Sequence, residues 1–150
     1  MKLYLIQHGL AIAKEKDPER PLSAQGEAQT QRTGEYLKSR SIEVGVIWHS
    51  EKLRAAQTAK IIAEAISCEN IQARDDLNPH DRLKKIPEEI SASRMDIMIV
   101  GHLPFLQKLA GRLLTGSEKS DIIIFKNSGV LSLDYDENWK IDWLVPPEHM

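Results

Sequence analysis

The sequence predicts an α/β fold: a three-layer sandwich with a mostly parallel sheet and an antiparallel edge. Three observations carry that expectation. Short apolar runs rich in β-formers, such as Leu3-Tyr4-Leu5-Ile6 and Ile97-Met98-Ile99-Val100, read as strands buried on both faces. Longer segments with apolar residues at helical spacing separate the strands, as they do in a parallel sheet covered by helices. The last third of the chain turns to closely spaced strand patterns, which suit an antiparallel edge.

In chain order, residues 2–7 make the first expected strand, ended by His8-Gly9. The polar loop from Leu10 to Leu22 contains Asp17-Pro18 and Arg20-Pro21, and a residue before proline avoids the helical region. Ser23 reads as the N-cap of a helix to about Arg40. Gly26 and Gly34 oppose that helix by up to ~1 kcal/mol each against alanine. Val44 to Trp48 is the second strand. Ser50 is expected to cap a helix from Glu51 to about Ser67, with Leu53, Ala56, Ala59, Ile62, Ala63 and Ile66 as its buried stripe. Asn70 to Ala73 is a short strand, and Asp75 to Asp81 a loop. Arg82 to Ser91 reads as a helix that Pro87 should kink or split.

Met95 to Val100 is the strand that ends at Gly101-His102. Pro104 suits the first turn of a helix to about Leu114, with Phe105, Leu106, Leu109 and Leu113 facing inward. Ile122 to Phe125, Val130 to Tyr135 and Lys140 to Val145 are expected strands. Asp136-Glu137-Asn138 is the turn between the last two.

A chain of 150 residues fits one domain, 1–150, and can bury enough surface to need neither metal nor disulfide. The net charge of -2, without a basic block, argues against sequence-independent nucleic-acid binding. The single cysteine, Cys68, has no internal partner, as expected in a reducing compartment. No apolar run approaches the ~20 residues of a membrane span. The N-terminus reads as a strand and lacks the features of a signal peptide, so the expected location is the cytoplasm, with no membrane partner.

The chemistry gathers where the strands stop. In an open parallel sheet ligands bind outside the carboxyl ends of the strands, so His8 and His102 should share one rim. A neutral imidazole is a competent nucleophile toward phosphorus, and the end of a rigid strand can fix its orientation. Gly9 would let the backbone approach a ligand closely. A protonated His102 beside His8 would bind phosphate and stabilise transition-state charge. Arg54 falls in the first turn of the second helix. A cation there opposes the helix dipole unless an anion binds, and a guanidinium matches phosphate oxygens. Arg20, in a polar loop, is by itself an ordinary solvent-facing arginine.

Read together, these segments resemble a known family. His8-Gly9 follows the first strand, then come Arg20-Pro21-Leu22-Ser23 with Gly26, Ser50 with Arg54-Ala55 and Gln57-Thr58-Ala59, and Gly101-His102-Leu103-Pro104. Four motifs in register are similar to those of the histidine phosphatase superfamily, in particular its short SixA-type phosphohistidine phosphatases. Leu77 to Pro79, and Trp143 to Pro146 near the end, also fit. The resemblance implies a phosphoglycerate-mutase-like fold. It implies that His8 is the phosphorylated nucleophile, that Arg54 and His102 complete the catalytic pocket, and that Gln7, Gly9 and Arg20 adjoin the substrate. It implies no metal and no cofactor. The implied partner is a phosphorylated protein, such as a histidine phosphotransfer domain, or a small phosphate ester. Glu15, Asp17 and Glu19 are the carboxylates of the first loop, and none stands out as a general acid.

Two positions depart from the pattern. Gln7 stands where the family has the arginine of Arg-His-Gly, and Glu51 where it usually has proline. Two readings therefore stay open: a phosphatase that tolerates Gln7, or a phosphate-binding or protein-interaction module weakened in catalysis. A metal site is the poorer reading, because His8, His49, His80 and His102 lack tight ligand spacing. His80 is a candidate for the substrate entrance. Trp139 and Trp143 read as packing residues. Asn127-Ser128-Gly129 precedes a strand and is a candidate to reach the pocket, with a plain turn as the favoured reading. A monomer is expected.

Overall fold

The computed structural model describes residues 1–150. Ten elements form the fold, in the order β1 (Lys2–Gln7), α1 (Ala24–Ser39), β2 (Val46–Ser50), α2 (Leu53–Ile66), β3 (Ile71–Arg74), α3 (Ile86–Ser93), β4 (Ile97–Gly101), α4 (Phe105–Thr115), β5 (Val130–Asp136) and β6 (Asn138–Val145). A short 3-10 turn, Pro147–His149, closes the chain. The six strands lie in the order β3-β2-β4-β1-β5-β6. β1 through β4 are mutually parallel, and β5 and β6 add the antiparallel edge. No helix is long and apolar enough to cross a membrane.

Strand alternation explains the layers. Leu3, Leu5, Ile97 and Ile99 pack with Ile86 and Ile90 of α3 and with Phe105, Leu106 and Leu109 of α4. Tyr4, Ile6, Met98 and Val100 turn to the other face and pack with Leu37 of α1 and Ala59, Ile62 and Ala63 of α2. The central strands therefore carry apolar residues without interruption from Leu3 to Ile6 in β1 and from Ile97 to Val100 in β4, as strands covered on both faces must. Fully burying one leucine or isoleucine contributes roughly 1.5–3 kcal/mol, so these two strands anchor both layers.

Several elements differ from the sequence expectation. Ser50 does not cap α2; it ends β2, and Lys52 holds the N-cap position without a side-chain hydrogen bond. The buried face of α2 is Ala55, Thr58, Ala59, Ile62 and Ala63, while Leu53 is 36% exposed. The later start rotates the stripe by one residue. Pro87 does not break a helix but sits in the first turn of α3, where its missing N–H costs nothing. Ile122–Phe125 is not a strand: Ile123 and Phe125 are buried and Ile124 is 76% exposed, yet only Asn127 bridges to the sheet, at Gln7. Alternation alone produced that expectation, and the place beside β1 is taken by β5.

The loop between β1 and α1 folds back on itself. Ser23 N–H donates to Leu10 O at 2.9 Å, and Ile12 N–H to Pro21 O at 2.8 Å. Ser23 is the N-cap of α1, accepting from Gly26 N–H, as expected. A Cβ on Gly26 would lie 2.0 Å from Leu10 O, so glycine is what lets the loop close on the helix. Helix propensity favours alanine at such a site by ~1 kcal/mol, but the overlap costs more. Gly26→Ala is expected to lower the unfolding free energy by about 2 kcal/mol in urea titration; an equal or higher midpoint would mean the loop yields.

Candidate active site

The register between β1 and β4 builds the site. Gln7 pairs with Gly101, and one residue further His8 N–H donates to Gly101 O at 2.9 Å. His8 and His102 are thus the first residues beyond two adjacent strand ends. They leave the sheet together, with ring centroids 5.0 Å apart. α2 begins just past β2, which carries Arg54 to the same rim. Its Nε lies 3.4 Å from His8 Nε2. Arg20 reaches the rim from the loop, at φ 50°, with its Nε donating to Ile12 O at 3.2 Å. Its charge acts on both imidazoles. The chain therefore brings His8, His102, Arg54 and Arg20 together as expected from the motifs.

His8 is held by its own turn. Its Nδ1 is 2.7 Å from Gly9 O, so Nδ1 carries the proton and Nε2 presents a lone pair toward Arg54. Gly9 N–H donates to Thr58 Oγ1 at 2.9 Å, and that hydroxyl donates to Arg54 O at 2.7 Å. Thr58 thus ties the histidine turn to the arginine helix. A Cβ on Gly9 would lie 2.6 Å from Thr30 Oγ1, so the space that glycine leaves is taken by α1. Leu22 N–H donates to Gln57 Oε1 at 2.7 Å, which fastens the Arg20 loop to α2.

Three contributors fall outside the site residues expected from the sequence. Asn127, read there as part of a plain turn, donates its side-chain N–H to His8 O at 2.8 Å. Ser128 is buried, bonds to Thr30 Oγ1, and accepts from Thr33 at its carbonyl. Ser50, expected as a cap, lies 2.8 Å from His102 Nε2. The signal for the first was its polar Asn-Ser-Gly run before a buried strand; nothing in the sequence located its partner. Gln7 closes β1 with its backbone bonded to Ser128 N–H, and its side chain makes no hydrogen bond. His49 binds its neighbour's carbonyl and His80 is exposed in the loop before α3. A separate concavity lies between α1 and α2, and its charged walls (Glu27, Glu35, Lys38, Lys60, Glu64) include no residue of the rim.

The electrostatics favour an anion. Burial, aided by Arg54 and Arg20, lowers the His8 pKa to about 4, against the opposing effect of the Gly9 hydrogen bond. Burial first, then the charges of His8, Arg54, Lys52 and Arg20, lower that of His102 to about 3. Burial and Arg20 also push the Arg54 pKa down. A protonated His102 is therefore not the state of the empty pocket, because the ring is sealed in beside two guanidinium groups. Both imidazoles are neutral at pH 7, and the two arginines face them with no carboxylate hydrogen-bonded to either. A dianion placed between them would relieve this repulsion.

The sequence profile of the histidine phosphatase superfamily (branch 1) matches residues 3–81, and the chain belongs to that class of phosphatases. The phosphohistidine phosphatase SixA of Escherichia coli is 23% identical over 155 aligned positions, covering 98% of this chain and 94% of the relative. The structure of a protein histidine phosphatase SixA complexed with tungstate superposes with a TM-score of 0.87 at 22% identity, covering 98% of this chain and 97% of the other. The alpha-ribazole phosphatase of Shigella flexneri superposes with a TM-score of 0.77 at 16% identity, covering 98% and 97%. The fold is the phosphoglycerate-mutase-like sandwich that the motifs implied.

The lowered histidine pKa values fix the sign of a pH effect. The unfolded chain binds protons on His8 and His102 near pH 6.5, and the folded chain only near pH 4 and below. Their contribution to stability is present above pH 6.5 and is lost as pH falls toward 4. Urea midpoints are expected to decline over that interval, and His8→Asn to flatten the decline. A midpoint that rises below pH 6.5, with His8 titrating near 6.5 by NMR, would contradict the assignment.

Proposed function

We propose that this protein is a phosphohistidine phosphatase that takes the phosphoryl group onto Nε2 of His8. The observation that carries the reading is the clamp on that ring, with Nδ1–H held on Gly9 O and the unprotonated Nε2 accepting from Arg54 Nε–H at 3.4 Å. The Nε2 lone pair attacks phosphorus in line, the P–N bond to the substrate imidazole breaks, and that imidazole leaves with a proton taken from solvent. The positive charge gained by the His8 ring is spread onto its Nδ1–H bond with Gly9 O. Arg54 and Arg20 bind the equatorial oxygens, and His102 lies beside them. Water then attacks phosphorus, the His8–P bond breaks, and orthophosphate leaves with His8 neutral again.

Phosphohistidine is the substrate class this pocket suits. Its P–N bond breaks readily once the leaving imidazole is protonated, so a strong general acid matters less than for an alkyl ester. No carboxylate is hydrogen-bonded to His8, His102, Arg54 or Arg20. The partner is then a phosphorylated protein such as a histidine phosphotransfer domain. One observation favours a second reading, a phosphate-binding or interaction module weakened in catalysis: Gln7 offers a neutral amide where the family places an arginine. Losing one charged donor from a transition-state clamp slows turnover by ~100-fold or more.

Turnover of a phosphorylated histidine phosphotransfer domain and of an aryl phosphate separates the two readings. Wild type is expected to act on the phosphoprotein, His8→Ala to sit at background, and Gln7→Arg to gain ~10–100-fold. Wild type at the level of His8→Ala on both substrates, with Gln7→Arg active, would replace the phosphatase by the binding module. Preference for the aryl phosphate would make it a small-molecule phosphomonoesterase.

A further inference from the structure

Ser50 and His102 are both sealed from solvent, 0% and 1% exposed. Ser50 Oγ lies 2.8 Å from His102 Nε2, and the same oxygen accepts a hydrogen bond from Lys52 N–H at 3.3 Å. Nδ1 of His102 is buried with no hydrogen-bond partner. Together these facts restrict where the protons sit. A neutral imidazole carries one proton, on Nδ1 or on Nε2.

Put the proton on Nε2, and His102 donates to Ser50. The hydroxyl hydrogen of Ser50 then has no acceptor, and Nδ1 is a buried lone pair without a donor. Two buried polar groups go unsatisfied, each at a cost of the same order as a lost hydrogen bond. Put the proton on Nδ1, and Ser50 accepts from Lys52 while donating to Nε2. Only the Nδ1–H then lacks a partner. An unpaired buried donor in a rim that faces two arginines is a group waiting for an anionic acceptor.

We propose that Ser50 is a positioning residue that holds His102 as the neutral Nδ1–H tautomer, so that an uncharged ring still offers one N–H to a bound phosphoryl oxygen. The ligand named here rests on the phosphatase reading; the tautomer does not. The arrangement mirrors His8, whose Nδ1–H is fixed by Gly9 O. One ring is turned by a carbonyl acceptor to expose a lone pair, the other by a hydroxyl donor to expose a proton. The pocket thereby gains a nucleophile and a donor from two neutral histidines of the same type.

Long-range 15N–1H spectra of the wild-type protein at pH 7 read the tautomer directly, with His102 assigned through His102→Gln. The expected result is a protonated Nδ1 and a bare Nε2. A protonated Nε2 overturns the proposal, whether or not any variant folds. Ser50→Ala is then compared with wild type at matched thermal midpoints, using tungstate as the oxyanion probe. Its His102 should become a mixture of tautomers and its tungstate affinity should fall ~10-fold, the loss of one hydrogen bond. A pure Nδ1–H ring in Ser50→Ala, or an affinity within about twofold of wild type, also overturns it. A protein with the expected tautomer and tungstate response but no turnover would sink the phosphatase reading and leave the role of Ser50 standing.

Discussion

The parallel pairing of β1 with β4 is the constraint on which the rest depends. With Gln7 beside Gly101, and His8 N–H bonded to Gly101 O, the ladder ends with two histidines abreast. A slip of one residue would turn every side chain of β1 to the opposite layer. Leu3 and Leu5 would leave the α3–α4 core for the α1–α2 side, and the two imidazoles would part. The same apolar burial that stabilises the sheet therefore sets the 5.0 Å spacing of the rings. The geometry of the rim rests on the register of a core that contributes no atom to it.

The rim is then fixed by polar ties between elements distant in sequence. Thr58 joins Gly9 to α2, Gln57 joins the Arg20 loop to α2, and Asn127 with Ser128 joins the start of β5 to β1. Each tie satisfies a backbone group that irregular chain would otherwise leave unpaired, and each helps to position a side chain of the rim. The outcome is an empty site that is positive from its arginines and neutral at its histidines. Such a site discriminates by charge before it discriminates by shape, because an incoming phosphate removes the repulsion that lowered the pKa values of both rings. Gln7 adds no charge to the rim, its side chain makes no hydrogen bond, and its backbone pairs within the sheet.

Much of this was legible in the sequence because burial on both faces leaves a plain mark. Leu3 to Ile6 and Ile97 to Val100 admit few readings other than central strands, and each is followed at once by its histidine. Arg54, which alone reads as a surface arginine, was picked out by the motif Ser50 with Arg54-Ala55 and Gln57-Thr58-Ala59. What failed to read were decisions made by tertiary context. Ile122 to Phe125 alternates like a strand, but the place beside β1 is taken by β5. Ser50 looks like an N-cap and is taken instead by His102, 52 positions away. Asn127 looks like a turn residue, and its partner, His8 O, lies 119 positions back in the chain. The lowered pKa of His102 in the empty pocket was not legible for the same reason: burial and two neighbouring arginines are facts of three-dimensional assembly.

The most direct test of the account is the site and isomer of a covalent intermediate. The protein would be mixed with a phosphoryl donor, quenched in alkali to preserve P–N bonds, and mapped by mass spectrometry and 31P NMR. The clamp of Nδ1 on Gly9 O predicts phosphate on His8 and on Nε2 alone. Phosphate on Nδ1 of His8, on another residue, or on none while turnover proceeds would contradict it.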